Sequence, residues 1–199
     1  MSQDYRISSD NLRSLSSGTG TLSVTSGTIN VTGSGTAFST QLTAGDIVVS
    51  GGYTLCVYSV TDNTHLLLQS AWPANLSGAS FQYDKLTNVE DLTRSAICMA
   101  PRSVARPWEE VKDTGDGLAR GLGRPAATWN WNFVSRQQRD ALRTYCTGKS
   151  ARVYIRTRMN DSADAYLTYL AAMMWPDTED RQTGRRINFT LEFRDLVLL

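Results

Sequence analysis

The first third of the chain alternates apolar and polar positions with a period of two. Leu22 and Val24 alternate with Thr and Ser, then Ile29 and Val31 do the same. Ile47-Val48-Val49, Tyr53–Val60 and Leu66-Leu67-Leu68 come next, and Phe81 and Tyr83 close the stretch. Ser26-Gly27, Gly33-Ser34-Gly35, Ala44-Gly45-Asp46, Gly51-Gly52 and Asp62-Asn63 interrupt these runs. Apolar alternation cut by Gly and Asn/Asp turns predicts short antiparallel strands in a small barrel or sandwich. Gly and β-branched residues are too dense for a helix here.

The last third carries a second pattern. Ala127, Trp129, Trp131 and Phe133 alternate with Thr128, Asn130 and Asn132, which predicts a strand. Ser135 comes next as a helix N-cap, with Gln138 completing a Ser-x-x-Gln capping box. Gln138, Ala141, Leu142 and Tyr145 share one helical face, Arg136, Arg139, Asp140 and Arg143 the other, and Gly148 ends a helix predicted over 135–147. Val153-Tyr154-Ile155 predicts a strand with Asn160-Asp161 as its turn. Tyr166–Trp175 permits helix or strand. Strand is preferred, because Pro176 and a turn-rich segment close it. Ile187, Phe189, Leu191 and Phe193 form a final strand.

The middle is less regular. Ala96-Ile97-Cys98-Met99 can be a strand, and Pro101 and Pro107 restrict regular structure after it. Asp113, Gly115, Asp116, Gly117, Gly121 and Gly123 make 113–124 a mobile loop on this reading. The expected fold is therefore mainly β: a β-sandwich with one flanking α-helix over 85–199, a small all-β barrel or sandwich module over 21–84, and an N-terminal arm over 1–20.

Charge supports that division. Residues 1–84 hold two basic and five acidic residues, whereas 85–199 hold 18 basic and 14 acidic. This step places the boundary near Tyr83–Asn88. The totals, Lys+Arg 20 against Asp+Glu 19, argue against binding nucleic acid through a basic excess. No apolar run is long enough to span a membrane, and Met1–Arg6 lacks a signal-peptide pattern. Cys56, Cys98 and Cys146 are far apart and match no metal spacing, which fits synthesis in a reducing cytoplasm. The Asn-x-Ser/Thr sites at Asn30, Asn75 and Asn188 then carry no meaning.

Candidate chemistry is sparse, and no cofactor or metal is expected. His65, the single histidine, lies in the turn Asp62–His65 and reads as an exposed turn residue. Asp113-Thr114-Gly115 matches an aspartic-protease tripeptide but lacks the apolar strand before it. Glu109, Glu110, Asp113 and Asp116 lack the alternate spacing of a calcium loop. The glycine-rich runs lack the Lys-Ser/Thr of a phosphate loop. Cys146 near a helix end is unactivated and reads as a structural thiol. Arg152, Arg156 and Arg158 share one strand face. A solvated face is the ordinary reading. The sharper one is a contact between ring subunits, with the acidic stretch Asp177, Glu179 and Asp180 as partner. Trp129, Trp131, Phe133 and Trp175 are core or interface, and core is the default.

Two sets of motifs resemble tailed-bacteriophage virion proteins. Gly27–Phe38, Ala44-Gly45-Asp46-Ile47 and Val57–Leu68 resemble a small β module of phage structural proteins. Gly123–Trp131, the helix through Gln138–Leu142 and Arg185–Phe193 resemble the tail-tube/distal-tail superfamily. That resemblance implies a β-sandwich with one flanking helix, assembled as a hexameric homo-oligomeric ring in the phage tail. It implies a structural protein rather than an enzyme, with the tube, hub, fibre or tape-measure proteins as partners. Loop 113–124 would then order only on assembly. A distal tail or baseplate ring protein is the leading expectation and a tail-tube subunit the next. A head–tail connector or head decoration protein ranks third, and then a glycan-binding module using Tyr53 and Trp72.

Overall fold

A computed structural model describes residues 4–10, 15–92, 100–108, 110–159, 165–182 and 185–199. The stretch Ala96–Met99, the turn Asn160-Asp161, Leu12 and Glu109 lie outside them. In chain order the elements are β1 (Arg6–Ser9), β2 (Ser16–Ser17), β3 (Thr21–Val24), β4 (Asn30–Ser34), α1 (Phe38–Gln41), β5 (Ile47–Ser50), β6 (Tyr53–Val60), β7 (His65–Leu68), β8 (Leu76–Ala79) and β9 (Gln82–Asp84). The chain continues through β10 (Thr87–Asn88), β11 (Arg102–Arg106), β12 (Glu110–Asp113), β13 (Ala119–Leu122), β14 (Ala126–Val134), α2 (Arg136–Arg143), β15 (Ser150–Arg158), β16 (Tyr166–Met174), β17 (Arg181–Gln182) and β18 (Arg185–Leu198). Its described residues are mainly β, with 54% in strands against 7% in helix. No helix among the described residues is long and apolar enough to cross a membrane.

The chain forms two compact units, one of residues 11–86 with 198–199, the other of 1–10 with 87–197. The smaller unit is one sheet in the order β2-β9-β5-β6-β7-β4-β3-β8. Consecutive strands β8 and β9 lie near opposite ends of that order, so the short link between them curls the sheet into a barrel. Ser50 Oγ at the end of β5 donates to Ser80 O in that link at 2.7 Å. Closure leaves few open edges. Leu22, Val31, Val48, Val57, Leu66, Leu68 and Trp72 fill the interior.

One expectation fails here. A single helical turn, α1, interrupts the strands. Tertiary burial overrides propensity, because Phe38 and Leu42, four apart, point the same way into the barrel. Phe38 meets Phe81 edge-on at 5.6 Å. Gly33 is required by close approach, since a Cβ there would overlap the Thr36 side chain.

The larger unit is a sheet in the order β10-β1-β15-β16-β18-β14-β11, with β17 paired to β18. The expected arm over 1–20 does not stand apart. β1 pairs antiparallel with β15 from Arg6↔Arg156 to Ser9↔Val153, and β2 pairs with β9 in the small barrel. Ile7 explains the first pairing, because it is fully buried in the larger core. That core also holds Trp129, Trp131, Val153, Ile155, Met173, Phe189, Leu191 and Phe193. Trp129 sits at its centre, 4.6 Å from the ring of Phe193 and 5.6 Å from that of Tyr5.

β16 is a strand, as preferred from the sequence. The helix begins as expected, with Ser135 Oγ accepting from the Gln138 backbone N–H at 3.1 Å. It stops at Arg143 rather than 147. Residues 144–146 tighten into i→i−3 bonds, and the Arg143 guanidinium caps the carbonyls of Thr147 and Gly148. Leu142 and Gln138 are buried on its inner face.

Leu142 anchors α2 to the sheet and is fully buried. Leu142→Ala is expected to cost about 2–5 kcal/mol, whereas Arg136→Ala on the outer face changes stability by less than about 0.5 kcal/mol. Denaturant unfolding of both variants checks the contrast.

Candidate assembly surface

The segment between β11 and β14 is not the mobile loop expected from its glycines. It is a two-stranded hairpin, β12–β13, registered from Glu110↔Leu122 to Asp113↔Ala119. Its turn has a specific chemistry. Gly115 and Gly117 adopt φ of 80° and 81°, a region that favours glycine. The Asp116 carboxylate accepts from the Thr114 hydroxyl and from the Leu118 N–H. Those bonds also lower the Asp116 pKa. The glycines therefore build the turn rather than loosen it.

The hairpin pairs with neither eight-stranded sheet. Its side chains are exposed from Glu110 to Arg120. Four of the eight exposed large apolar residues lie between 104 and 118: Val104, Trp108, Val111 and Leu118, the last 67% exposed. Trp108 lies over the Gly121 backbone, where a Cβ would overlap its indole. Gly123 has φ 82° at the return into β14. An isolated hairpin is at best marginally stable in water. One that turns Val111 and Leu118 to solvent among charged side chains offers a surface suited to a partner. Among the described residues β11 ends the sheet order and is a second edge.

The arginine stripe on β15 is placed differently from the ring-contact expectation. Arg152, Arg156 and Arg158 do share a face, opposite Val153 and Ile155. Arg156 is buried and donates to Asp4 Oδ2 at 2.7 Å, and the other oxygen of Asp4 takes Arg6 at 2.6 Å. A buried, paired guanidinium is not available to a neighbour. The cause is position: β15 lies between β1 and β16. Arg152 is 60% exposed, 3.8 Å from Asp10. Arg158 is half-buried near Tyr5, whose hydroxyl is pushed up to about 12, first by burial and then by Tyr166.

The acidic stretch divides in the same way. Asp177 is exposed and pairs with Lys149. Asp180 is exposed, and its carbonyl accepts from the Ile187 N–H. Glu179 points inward, contrary to the ring-contact expectation. It accepts from Arg139 Nε and Nη2, from Arg186 Nε at 2.9 Å and from Trp175 Nε1 at 3.0 Å. Arg143 stacks on the Trp175 ring at 4.6 Å. Glu179 thus ties α2, the end of β16 and the start of β18 together. Arg139, then Arg186 and Trp175, hold its carboxyl down to about 2.

The remaining sequence candidates carry no site. His65 is exposed beside Asp62, at 3.0 Å. The Thr64 N–H, first among several donors, holds Asp62 down to about 2. Cys56 and Cys146 are buried, and burial raises the Cys146 thiol. Among the described residues no group of three His, Cys, Asp or Glu is arranged to hold a metal. Trp72, expected as an exposed sugar platform, is fully buried, with Tyr53 edge-on to it at 6.4 Å.

Glu179 sets a pH dependence. Its folded pKa lies below the ordinary 4.5, so its contribution is complete above about pH 4.5 and is lost as the pH falls through about 2. Glu179→Gln is expected to destabilise the larger unit by about 2–4 kcal/mol at pH 7. It also flattens the loss of stability between pH 4.5 and 2. Urea unfolding across that range checks both; identical curves for variant and wild type would rule the clamp out.

No protein-family model matches the chain, and neither a curated protein nor a solved structure matches it.

Proposed function

We propose that this chain is a structural subunit of a bacteriophage tail, a distal tail or baseplate ring protein that assembles with copies of itself. The free-standing hairpin β12–β13 carries the proposal. It presents Val111 and Leu118 to solvent and is joined to neither sheet. Burying it against another subunit would supply the stabilisation that an isolated hairpin lacks. The larger unit agrees with the resemblance in class: mainly β, with one flanking helix, α2. Open edge β11 offers a second place for neighbours to join. A ring of about six subunits uses two different faces per protomer in a contact that closes. Partners in the virion would be tube, hub, fibre or tape-measure proteins. The role is mechanical, not enzymatic.

The test is the mass of the purified protein in solution, followed by negative-stain imaging. Closed rings of about six copies are the expected result. Long stacked tubes would shift the role to the tail-tube subunit. A monomer at every concentration, with no particles on the grid, would overturn self-assembly.

A further inference from the structure

Alternation on the outer half of the larger sheet creates a charged face opposite the core. Trp129 and Trp131 point inward, so Thr128 and Asn130 of β14 point outward. The register places Arg102 opposite Asn130 and Val104 opposite Thr128 on β11, with Glu192 and Thr190 opposite the same pair on β18. Contacts agree with that register. Arg106 donates to Glu192 at 2.8 Å, Arg194 donates to its other oxygen at 2.9 Å, and the Thr190 hydroxyl donates to Asn130 at 2.8 Å. Three arginines, Arg102, Arg106 and Arg194, share this face with one acid, Glu192, a net charge of +2 (3 − 1). Val104, 42% exposed, lies between Arg102 and Arg106. Beside Thr190, Glu192 and Arg194 a groove of about 300 Å³ opens toward Met174 and Pro176.

The hairpin tip has the complementary character. From Asp113 to Leu118 it carries two acids and no base, a charge of −2. It ends in Leu118, the most exposed large apolar residue described.

We infer that the tip of one copy docks on the outer face of β11, β14 and β18 of the next copy. Asp113 and Asp116 face Arg102 and Arg106, and Leu118 enters the groove beside Thr190 and Arg194. This rests on the self-assembly proposed above and specifies its contact. Tip and face are different surfaces of one chain. The contact is therefore heterologous and can close into a ring. Opposite charges at an exposed rim set register and encounter rate and are screened by salt.

Charge reversal tests it. Asp113→Lys changes the tip without touching the turn bonds of Asp116, and Arg102→Glu with Arg106→Glu changes the face. All three positions are exposed, but Arg106 also holds Glu192, so circular dichroism and the urea midpoint of each variant are matched to wild type before assembly is read. Each variant is expected to raise the concentration needed for ring formation about tenfold or more, read by analytical ultracentrifugation. Carrying both changes in one chain should restore part of the loss, because the tip, then at zero net charge (−2 + 2), no longer repels a face that has become acidic. Wild-type rings should loosen as salt rises from about 0.05 to 0.5 M. If wild type forms rings and the variants form them equally well, this docking is wrong while self-assembly stands. If the combined chain assembles worse than either, the docking is likewise wrong. A wild type that stays monomeric throughout overturns both.

Discussion

Burying the indole of Trp129 constrains the larger unit more than any other contact. The ring is fully enclosed, so its N–H needs an acceptor inside the protein. Thr157 Oγ1 provides one at 3.1 Å, and Ser103 Oγ lies 3.2 Å from the same hydroxyl. Trp129 is on β14, Thr157 on β15 and Ser103 on β11. β15 is adjacent to neither of the others in the sheet order, so the sheet must curl until its two halves face each other across the tryptophan. That curl fixes β11 and β14, the two strands from which the hairpin β12–β13 leaves and to which it returns. The core residue and the hairpin are thus consecutive links of one chain.

The second organising contact is ionic. Glu179 gathers Arg139, Arg186 and the Trp175 indole N–H, and Arg143 closes over the same tryptophan. This largely covered carboxylate is tolerable because Arg139, Arg186 and Trp175 each direct a donor at it. The consequence for function is subtractive. Glu179 and Arg156 are engaged internally, so in the proposed assembly only the exposed charges and the hairpin are left to meet other subunits.

Much of this fold was legible in the sequence. Period-two alternation marked β14 and β18 because each packs one face on a core, and the run Val153-Tyr154-Ile155 marked β15, which is buried on both faces. Ser135 marked the helix start because an N-cap is a local bond. What the sequence hid depended on neighbours in space. Arg156 and Glu179 look like surface charges until the strands beside them are known. Trp72 sits in a polar run yet fills the barrel. Phe38–Gln41 lies among residues poor for helix and is held by the burial of Phe38 and by bonds to Asn63 and Thr19. The hairpin was legible only in part. Its glycines were visible and read as looseness, although Thr114-Gly115-Asp116-Gly117 also carries the side-chain acceptor and left-handed positions of a tight turn. Short strands with exposed side chains leave no hydrophobic period to reveal them.

The central claim is that the hairpin is an assembly element rather than an incidental loop. Hydrogen exchange of the wild-type chain, measured from dilute to concentrated solution, addresses it most directly. Amides of 110–122 should exchange quickly when dilute and gain protection as copies associate, while those of β14 and β15 keep the same slow rates throughout. Hairpin amides that exchange equally at every concentration, in a sample whose mass shows association, would contradict it.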